Sequence, residues 1–212
     1  MKSTKIHLFV IAFVGFVAAA TLFASSGVLV QSVGSPFQVS VAGRTAWEPT
    51  SAVGTTWATG WRDWTSGQVL VSTWSGGWRT PVAIATSASD LYLAWDGVHQ
   101  RFVYVYLSGA GSIYFGYSIN GDPLYCDPSQ KTCWSTPVQL FSGTTWDYPS
   151  VGVDNSGRVI VGAVGAGFWT RVSATDGVTF GSAVQVVTGT TGFKTRVVAT
   201  NNLFEVIHPP SL

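Results

Sequence analysis

The chain has 212 residues and a formal net charge of +1, and only 10% of its residues are charged. Aromatic residues make up 14%, with 10 Trp among them, so the composition excludes an intrinsically disordered chain. No basic stripe is present that would bind a phosphate backbone, and we expect no nucleic-acid partner. Val, Thr, Trp, Tyr, Gly and Ser are abundant, which favours strands and tight turns over helices.

Residues 1–26 have the charge pattern of an export signal. Lys2 and Lys5 precede an apolar or small run over residues 8–24, and the next charged residue is Arg44. A basic region followed by an apolar region is typical of a secretory signal peptide. An uncleaved membrane anchor is the alternative, because the apolar stretch continues far enough to span a bilayer with about 20 residues. Either way, we expect the rest of the chain to be extracellular, secreted or at the cell surface, with membrane contact only through this segment.

Beyond residue 54 the sequence repeats a unit of two apolar strands joined by a turn. The copies are Leu93–Val105, Val151–Val161, Val198–Ile207 and a poorer one at Ser66–Val71. Alternating apolar residues around an Asp, Asn or Gly turn are typical of a β-hairpin. The interval from Val71 to Val82 is shorter than that from Val161 to Val184, so we expect the first unit to lack a strand.

A second marker is an aromatic residue followed by a short polar step and a Val. Its copies begin at Trp78, Trp134 and Phe180, and the last two are 46 residues apart. A period of about 40–50 residues with four strands is that of a β-propeller blade. We therefore predict an all-β fold, an incomplete β-propeller of about three to four four-stranded antiparallel blades over 54–212. Residues 27–53 are expected to form a linker or an irregular first strand.

Cys126 and Cys133 lie in a polar segment with two Pro, which is typical of a loop. A disulfide that closes this loop agrees with an exported protein. A zinc site is the alternative, but two thiolates cannot complete a zinc shell and the loop contains no His. We therefore predict a disulfide between the two Cys, and we expect no metal ion and no cofactor.

The segment from Arg171 to Phe180 contains Asp176-Gly177 followed by Val-Thr-Phe180, and it resembles the Asp-box of sialidases and related propellers. Asn120-Gly121 stands at the equivalent place one blade earlier. The resemblance implies a sialidase-type propeller with this motif between the third and fourth strands of a blade, away from the active centre. The residues given a structural role in these turns are Asn120, Gly121, Asp176, Gly177 and Phe180. Such a turn needs a side-chain acceptor for backbone amides, a Gly with positive φ and an aromatic ring packed beneath it.

The sialidase active centre holds a sugar carboxylate with three arginines and uses a Tyr, a Glu and an Asp for catalysis. This chain contains only two glutamates, Glu48 and Glu205. Arg101 and Arg158 recur just after hairpin turns of adjacent units, which indicates a shared structural role. We assign no catalytic residue from the resemblance.

Carbohydrate binding is the other function that the sequence indicates, because exposed aromatic rings stack on sugar rings. The candidate ligand-binding residues are Trp57, Trp61, Arg62, Asp63, Trp64, Trp146 and Asp147. For any single Trp, burial in a blade core is the alternative. Among the acidic residues, Asp96 and Asp154 are explained by their turns, whereas Asp147 is not.

The leading prediction is a secreted or cell-surface, non-catalytic propeller module that binds glycans or cell-surface proteins. The first alternative is a diverged or partial sialidase-type glycoside hydrolase, and the second is a structural subunit of an extracellular assembly. An open stack of blades exposes apolar faces. We therefore expect self-association that closes the propeller, a longer parent protein or a small distorted propeller.

Overall fold

The computed structural model describes residues 45–74, 76–119, 133–189 and 195–207. Fourteen β-strands lie in these ranges and pair in antiparallel sheets. The predicted signal or anchor at 1–26 lies outside the described residues, as do Asn120, Gly121 and Cys126. Among the described residues, no helix has the length and apolar character needed to cross a membrane.

The strands form three four-stranded blades and a two-stranded sheet. Blade 1 contains β1 (Ala46–Val53), β2 (Trp57–Asp63), β3 (Gln68–Trp74) and β4 (Val82–Thr86). Blade 2 contains β5 (Ala88–Asp96), β6 (Arg101–Ser108), β7 (Ile113–Tyr117) and β8 (Val138–Phe141). Blade 3 contains β9 (Asp147–Val153), β10 (Val159–Gly165), β11 (Gly167–Val172) and β12 (Val184–Val187). The two-stranded sheet contains β13 (Arg196–Thr200) and β14 (Leu203–Ile207). The prediction of an incomplete all-β propeller of about four blades is confirmed.

The first blade is complete, which corrects the expectation that it lacks a strand. β1 pairs with β2 along its length, and β1 lies in the segment 27–53 that we expected to be a linker or an irregular first strand. The turn at Ser66-Gly67 joins the second and third strands, whereas the turns after Asp96 and Asp154 join the first and second. The Ser66 hairpin is therefore not equivalent to the others. A hairpin pattern alone does not say which two strands of a blade it joins.

Blade 2 buries both of its faces against its neighbours, as its second strand illustrates. Phe102 and Tyr104 of β6 belong to the apolar layer shared with blade 1. Val103 and Val105, which alternate with them, belong to the layer shared with blade 3. All four are completely buried. Side chains of a strand alternate between its two faces, so one continuous apolar strand supplies two interblade layers.

The first strands of successive blades also pack against one another. β5 contacts both β1 and β9, and β9 contacts β13. Hydroxyl groups link them: Thr50 Oγ1 accepts a hydrogen bond from the Leu93 backbone N (3.3 Å), and Ser150 Oγ accepts one from the Val197 backbone N (3.2 Å). These strands therefore line the centre of the propeller. We call the end at which β1, β5 and β9 begin the entry end.

The aromatic markers occupy one repeated corner between the third and fourth strands. Isolated bridges join Trp74 to Trp78, Ser118 to Trp134 and Ser173 to Phe180.

In the third corner, the Asp176 carboxylate accepts hydrogen bonds from the backbone N of Val178 and of Thr179 and from the Thr179 hydroxyl. These bonds, those of Thr179 foremost, lower the pKa of Asp176 to about 2. Gly177 follows with φ +67°. Asp176 therefore organises its own turn.

Arg101 joins blade 2 to blade 3 at the end opposite the entry end. Its Nε donates to Asp96 Oδ2 at 3.1 Å, and its Nη2 donates to the Asp176 carbonyl oxygen of the next blade at 2.6 Å. A Cβ on Gly177 would lie 2.4 Å from Arg101 Nη2, so the glycine permits this close approach. Arg158 repeats the arrangement with Asp154 and the carbonyl of Asn202. The two arginines therefore act as clamps between successive blades.

Replacing Arg101 by Ala should lower the free energy of unfolding by about 2–4 kcal/mol, because it removes the cation from the buried Asp96 carboxylate and the bond to blade 3. Urea unfolding followed by Trp fluorescence measures the change. Glu205→Ala is the control, since the Glu205 side chain is exposed on β14 and surface changes stay within about 0.5 kcal/mol. Equal stability of the two variants would show that Arg101 does not clamp the blades.

Candidate functional site

The first strand of each four-stranded blade is interrupted by a bulge near its beginning. The bulge residue has a left-handed backbone in all three cases, with φ +52° at Glu48, +47° at Asp90 and +44° at Tyr148. Residues other than Gly rarely adopt this conformation, which costs on the order of 1–3 kcal/mol. Bulges redirect side chains and are common beside active sites. The same strained geometry in three successive blades therefore marks the entry end of the centre as a candidate site.

The bulges bring three carboxylates together. Glu48 Oε2 accepts a hydrogen bond from the Asp90 backbone N at 2.9 Å, and the two carboxyl groups are also hydrogen-bonded to each other. Asp147, which precedes the third bulge, is close enough for its charge to act on Asp90. The three side chains come from the first strands of three successive blades. The site is thus formed by strands of three blades at the propeller centre and not by a single loop.

Asp90 holds a proton under conditions in which an ordinary Asp is ionised. Burial, followed by the charge of Glu48, a hydrogen bond to Glu48 and the charge of Asp147, raises the pKa of Asp90 to about 7. The Ser89 hydroxyl, 3.4 Å from Asp90 Oδ2, opposes this rise. A carboxyl group that is protonated near neutral pH can donate a proton in catalysis.

A cation and two phenol rings complete the centre. Arg196 Nη2, from β13, donates to the Tyr92 hydroxyl of β5 at 2.6 Å. The Arg196 guanidinium lies 5.0 Å from the centre of the Tyr92 ring and 5.9 Å from that of Tyr148. Burial, then the charges of Asp147 and Asp90, raise the pKa of Tyr148, and Arg196 opposes them. All four first strands therefore contribute residues to one electrostatic group.

The three Trp residues of blade 1 that were predicted to bind a ligand lie in different places in the structure. Trp61 is buried in the sheet and is only 4% exposed. Trp57 is half exposed, but it begins β2 opposite Val53 and so lies at the end opposite the entry end. Trp64 stacks on Trp47 with ring centroids 5.2 Å apart, and both rings are half exposed. Of the three predicted Trp residues, only Trp64 is both exposed and at the entry end.

The two charged residues of this predicted cluster lie in different surroundings. Asp63 is 1% exposed, and its carboxylate accepts hydrogen bonds from the backbone N of Thr65 and of Ser66. Asp63 is therefore a turn residue, because its carboxylate oxygens accept hydrogen bonds from the backbone of its own turn. Arg62 lies over the Trp64 ring at 4.3 Å.

Trp146 and Asp147, the two predicted residues of the later turn, do lie at the entry end. The Trp146 indole N donates to the Ser142 carbonyl oxygen at 2.8 Å, and the ring packs on Phe141. Both Trp146 and Asp147 line an open cavity between blades 2 and 3. Cys133 is buried, and its predicted partner Cys126 lies outside the described residues, so their disulfide stays a prediction.

Glu48 and Asp90 are missing from the predicted ligand-binding residues. A signal for the bulge was present in the sequence: Glu48-Pro-Thr50 and Tyr148-Pro-Ser150 are two copies of one short motif. Asp90 stands at the same place in blade 2 without the Pro. Within the described part of the chain, no group of three or more His, Cys, Asp and Glu residues could hold a metal ion.

No protein-family model matches this chain, and a search of curated proteins finds no match. Solved structures do match it. An exo-β-1,3-galactanase from Phanerochaete chrysosporium, determined with β-1,3-galactotriose, is similar with a TM-score of 0.53 at 16% identity. A GH43 glycoside hydrolase engineered to display both endo-xylanase and exo-arabinofuranosidase activity is similar with a TM-score of 0.51 at 12% identity.

The galactanase match covers 79% of this chain and 44% of the galactanase. The GH43 match covers 77% of this chain and 36% of that enzyme. The chain therefore spans less than half the length of either structure. At these identities the likeness shows the fold alone, a propeller of the kind found in these glycoside hydrolases. It gives no support to the sialidase type that the Asp-box resemblance implied.

Replacing Asp90 by Asn should raise the free energy of unfolding relative to the parent, and the rise should be larger at high pH than at low pH. The native Asp90 pKa is about 7 and its ordinary value is 3.8, so the stability that its proton contributes is complete below about pH 4 and lost as pH rises to about 7. Asn does not titrate and tolerates a left-handed backbone. The variant and the parent differ in their free energy of unfolding, and we expect this difference to grow by about 1–2 kcal/mol from pH 4.5 to pH 8. This figure allows for solvent screening of a half-buried group.

Urea unfolding of the parent and Asp90→Asn at both pH values measures the difference. Glu205→Gln is the control, because the Glu205 side chain is exposed on β14. A stability difference between parent and Asp90→Asn that does not change with pH would rule out the raised pKa.

Proposed function

We propose that this chain is a diverged glycoside hydrolase whose reaction takes place at Glu48, Asp90 and Asp147. The observation that carries the proposal is the convergence of three carboxylates from three blades at the propeller centre, one of them protonated near neutral pH. This replaces the non-catalytic module as the leading hypothesis and develops its first alternative. The similar folds of a galactanase and of a GH43 enzyme support it.

Hydrolysis of a glycosidic bond needs a carboxylic acid that protonates the leaving oxygen and a carboxylate that activates water or attacks the sugar. Asp90 is the proton donor, since its pKa of about 7 keeps it protonated up to neutral pH. Glu48 is hydrogen-bonded to Asp90, which places the two groups closer than the roughly 5–9.5 Å that separates catalytic pairs. Glu48 therefore positions Asp90 and keeps its proton in place. Asp147 is the second catalytic carboxylate.

A sialidase-type reaction fits this centre less well than hydrolysis of a neutral sugar. A sialidase grips an anionic sugar with convergent arginines, because guanidinium groups bind carboxylates in a bidentate fork. Here the negative charges of Glu48 and Asp147 face the site, and the Arg196 fork is directed to the Tyr92 hydroxyl and the Thr195 carbonyl. The charge of this site disfavours an anionic sugar.

Glycan binding without hydrolysis is a second candidate function. The stacked pair Trp47–Trp64 supports it, since each ring is half exposed beside the centre. Glycans are the partners that both candidate functions require. We also propose that the protein works outside the cytoplasm, secreted or held at the surface by residues 1–26, because of the basic and apolar pattern of that segment.

Each of the isosteric changes Glu48→Gln, Asp90→Asn and Asp147→Asn should lower the rate of hydrolysis about 100-fold or more, as expected when an acid–base group is removed. The measurement is the release of reducing ends from xylan, arabinan and β-1,3-galactan oligosaccharides, with sialyllactose as the anionic comparison. Activity of the parent should also fall as pH rises through about 7, when Asp90 loses its proton.

Glu205→Gln, which changes the only other glutamate of the chain on exposed β14, should keep full activity. If the parent cleaves none of the oligosaccharides, hydrolysis is refuted and glycan binding remains as the proposed function. Full activity in the combined variant of all three carboxylates would place the reaction elsewhere.

A further inference from the structure

An open cavity of about 460 Å³ lies between blades 2 and 3 at the entry end. One wall is the turn Ser108–Gly111 that joins β6 to β7, and the other is the connection from Thr144 to Asp147 that leads into β9. Ser89, next to Asp90, lines it together with Asp147. Of the three carboxyl groups at the centre, Asp147 therefore lines the cavity itself.

The lining of the cavity combines a flat aromatic ring with small hydroxyl groups. Trp146 and Leu107 supply apolar surface, and Ser89, Ser108 and Thr144 supply hydroxyls. A concave site with apolar surface and a few polar groups is typical of small-molecule recognition. A sugar ring has both an apolar face, which stacks on an indole, and hydroxyls, which exchange hydrogen bonds with Ser and Thr.

The charge of the cavity decides between classes of sugar. Asp147 is the one charged side chain among the described residues that line it. Beside it the charge of Glu48 adds to its own, and no Lys or Arg stands among the described residues of the lining, while Arg196, the cation of the centre, is directed to the Tyr92 hydroxyl and the Thr195 carbonyl. Like charges at short range repel strongly where water is partly excluded. A uronic or sialic acid would meet this repulsion, whereas a neutral sugar would not.

The Trp146 ring is held in place before any ligand arrives. Its indole N donates to the Ser142 carbonyl, and its ring lies 4.8 Å from Phe141 and 6.2 Å from Trp169, centroid to centroid. A Cβ on Gly165 would come within 2.8 Å of the ring, so the glycine leaves the space that the indole occupies. A wall that is already ordered loses little conformational entropy when a ligand binds.

The two walls of the cavity are also fixed to each other. The Ser112 hydroxyl donates to the Gly143 carbonyl oxygen at 3.1 Å. Gly111 has φ +76°, and a Cβ there would lie 2.7 Å from the Thr144 carbonyl carbon. Only glycine combines this backbone with such a close approach. The shape of the cavity is therefore a property of the fold.

We propose that this cavity is a substrate subsite for neutral sugar units next to the bond that is cleaved, with Trp146 as its stacking wall. The cleavage part of the proposal rests on the hydrolase function proposed above, whereas the binding part does not. Ala110, exposed at the cavity turn, gives a way to close the cavity without changing the core.

Ala110→Trp should fill the cavity, and Ala174→Trp is the matched control. Ala174 is equally exposed but lies in the Asp176 turn, at the opposite end of the blades. The probes are xylotriose, arabinotriose and β-1,3-galactotriose, with sialyllactose as the anionic comparison. Binding is followed by the NMR signal of the Trp146 indole N–H, which is assigned by its loss in Trp146→Phe, and hydrolysis by KM and kcat.

We expect at least one neutral trisaccharide to shift the Trp146 signal of the parent and of Ala174→Trp, and sialyllactose to leave it unmoved. Ala110→Trp should weaken binding and raise KM about tenfold or more, the scale of one lost aromatic contact. Thermal melting of both Trp variants checks that neither is unfolded.

The outcomes separate the subsite from the hydrolase function. Hydrolysis with an unchanged KM in Ala110→Trp would overturn the subsite and leave the function standing. A Trp146 shift that Ala110→Trp abolishes, without hydrolysis of any probe, would support the subsite and refute the function. Sialyllactose that shifts Trp146 as strongly as the neutral probes would overturn the choice of a neutral sugar, and no shift with any probe would overturn the subsite itself.

Discussion

The left-handed bulge at the start of the first strands is the constraint on which the centre of this molecule depends. In a regular strand, alternation would direct successive side chains to the two faces of a blade, where they would join the interblade layers. The bulge inserts a residue, breaks that alternation and redirects the side chains. Glu48 and Asp90 meet because both are bulge residues, and Asp147 joins them from the position before the third bulge. The chemistry of the centre is thus a consequence of backbone geometry repeated from blade to blade.

This arrangement is costly, because it combines left-handed residues with like charges. The remainder of the fold offsets the cost at a distance from the centre. Strand β6 buries one set of side chains against blade 1 and the alternate set against blade 3. At the end opposite the bulges, Arg101 clamps blade 2 to blade 3, and Arg158 clamps blade 3 to the two-stranded sheet. Thr50 and Ser150 fix the first strands to their neighbours. The three bulges lie at one end, and the ordered contacts that tolerate them are spread over the rest.

Periodicity predicted most of the fold, because a repeated four-stranded unit must repeat its apolar alternation and its corner aromatics. It misassigned the Ser66 turn, since a hairpin pattern is the same wherever it occurs in a blade. For the candidate site, Asp147 was singled out because no turn explained it, and it does lie at the entry end, whereas Asp90 was not singled out, because a bulge arises from the register between strands. Trp61 was misjudged for a related reason: one Trp in a strand looks the same in sequence whether it faces a layer or solvent, and Trp61 is buried.

The contrast between Asp176 and Asp90 shows why the Asp-box resemblance indicated the fold better than the function. Both residues lie where the chain departs from regular structure. Asp176 is exposed and surrounded by donors, which lower its pKa to about 2 and fix it as an ionised turn acceptor. Asp90 is more buried and faces the carboxylates Glu48 and Asp147, which raise its pKa to about 7. The same side chain is an ionised acceptor in one place and a carboxyl group that keeps its proton to near neutral pH in the other, and its surroundings alone make the difference. A motif that is recognised by its turn therefore reports on a corner of the blade, whereas the carboxyl groups at the centre lie on strands that meet only when the blades assemble.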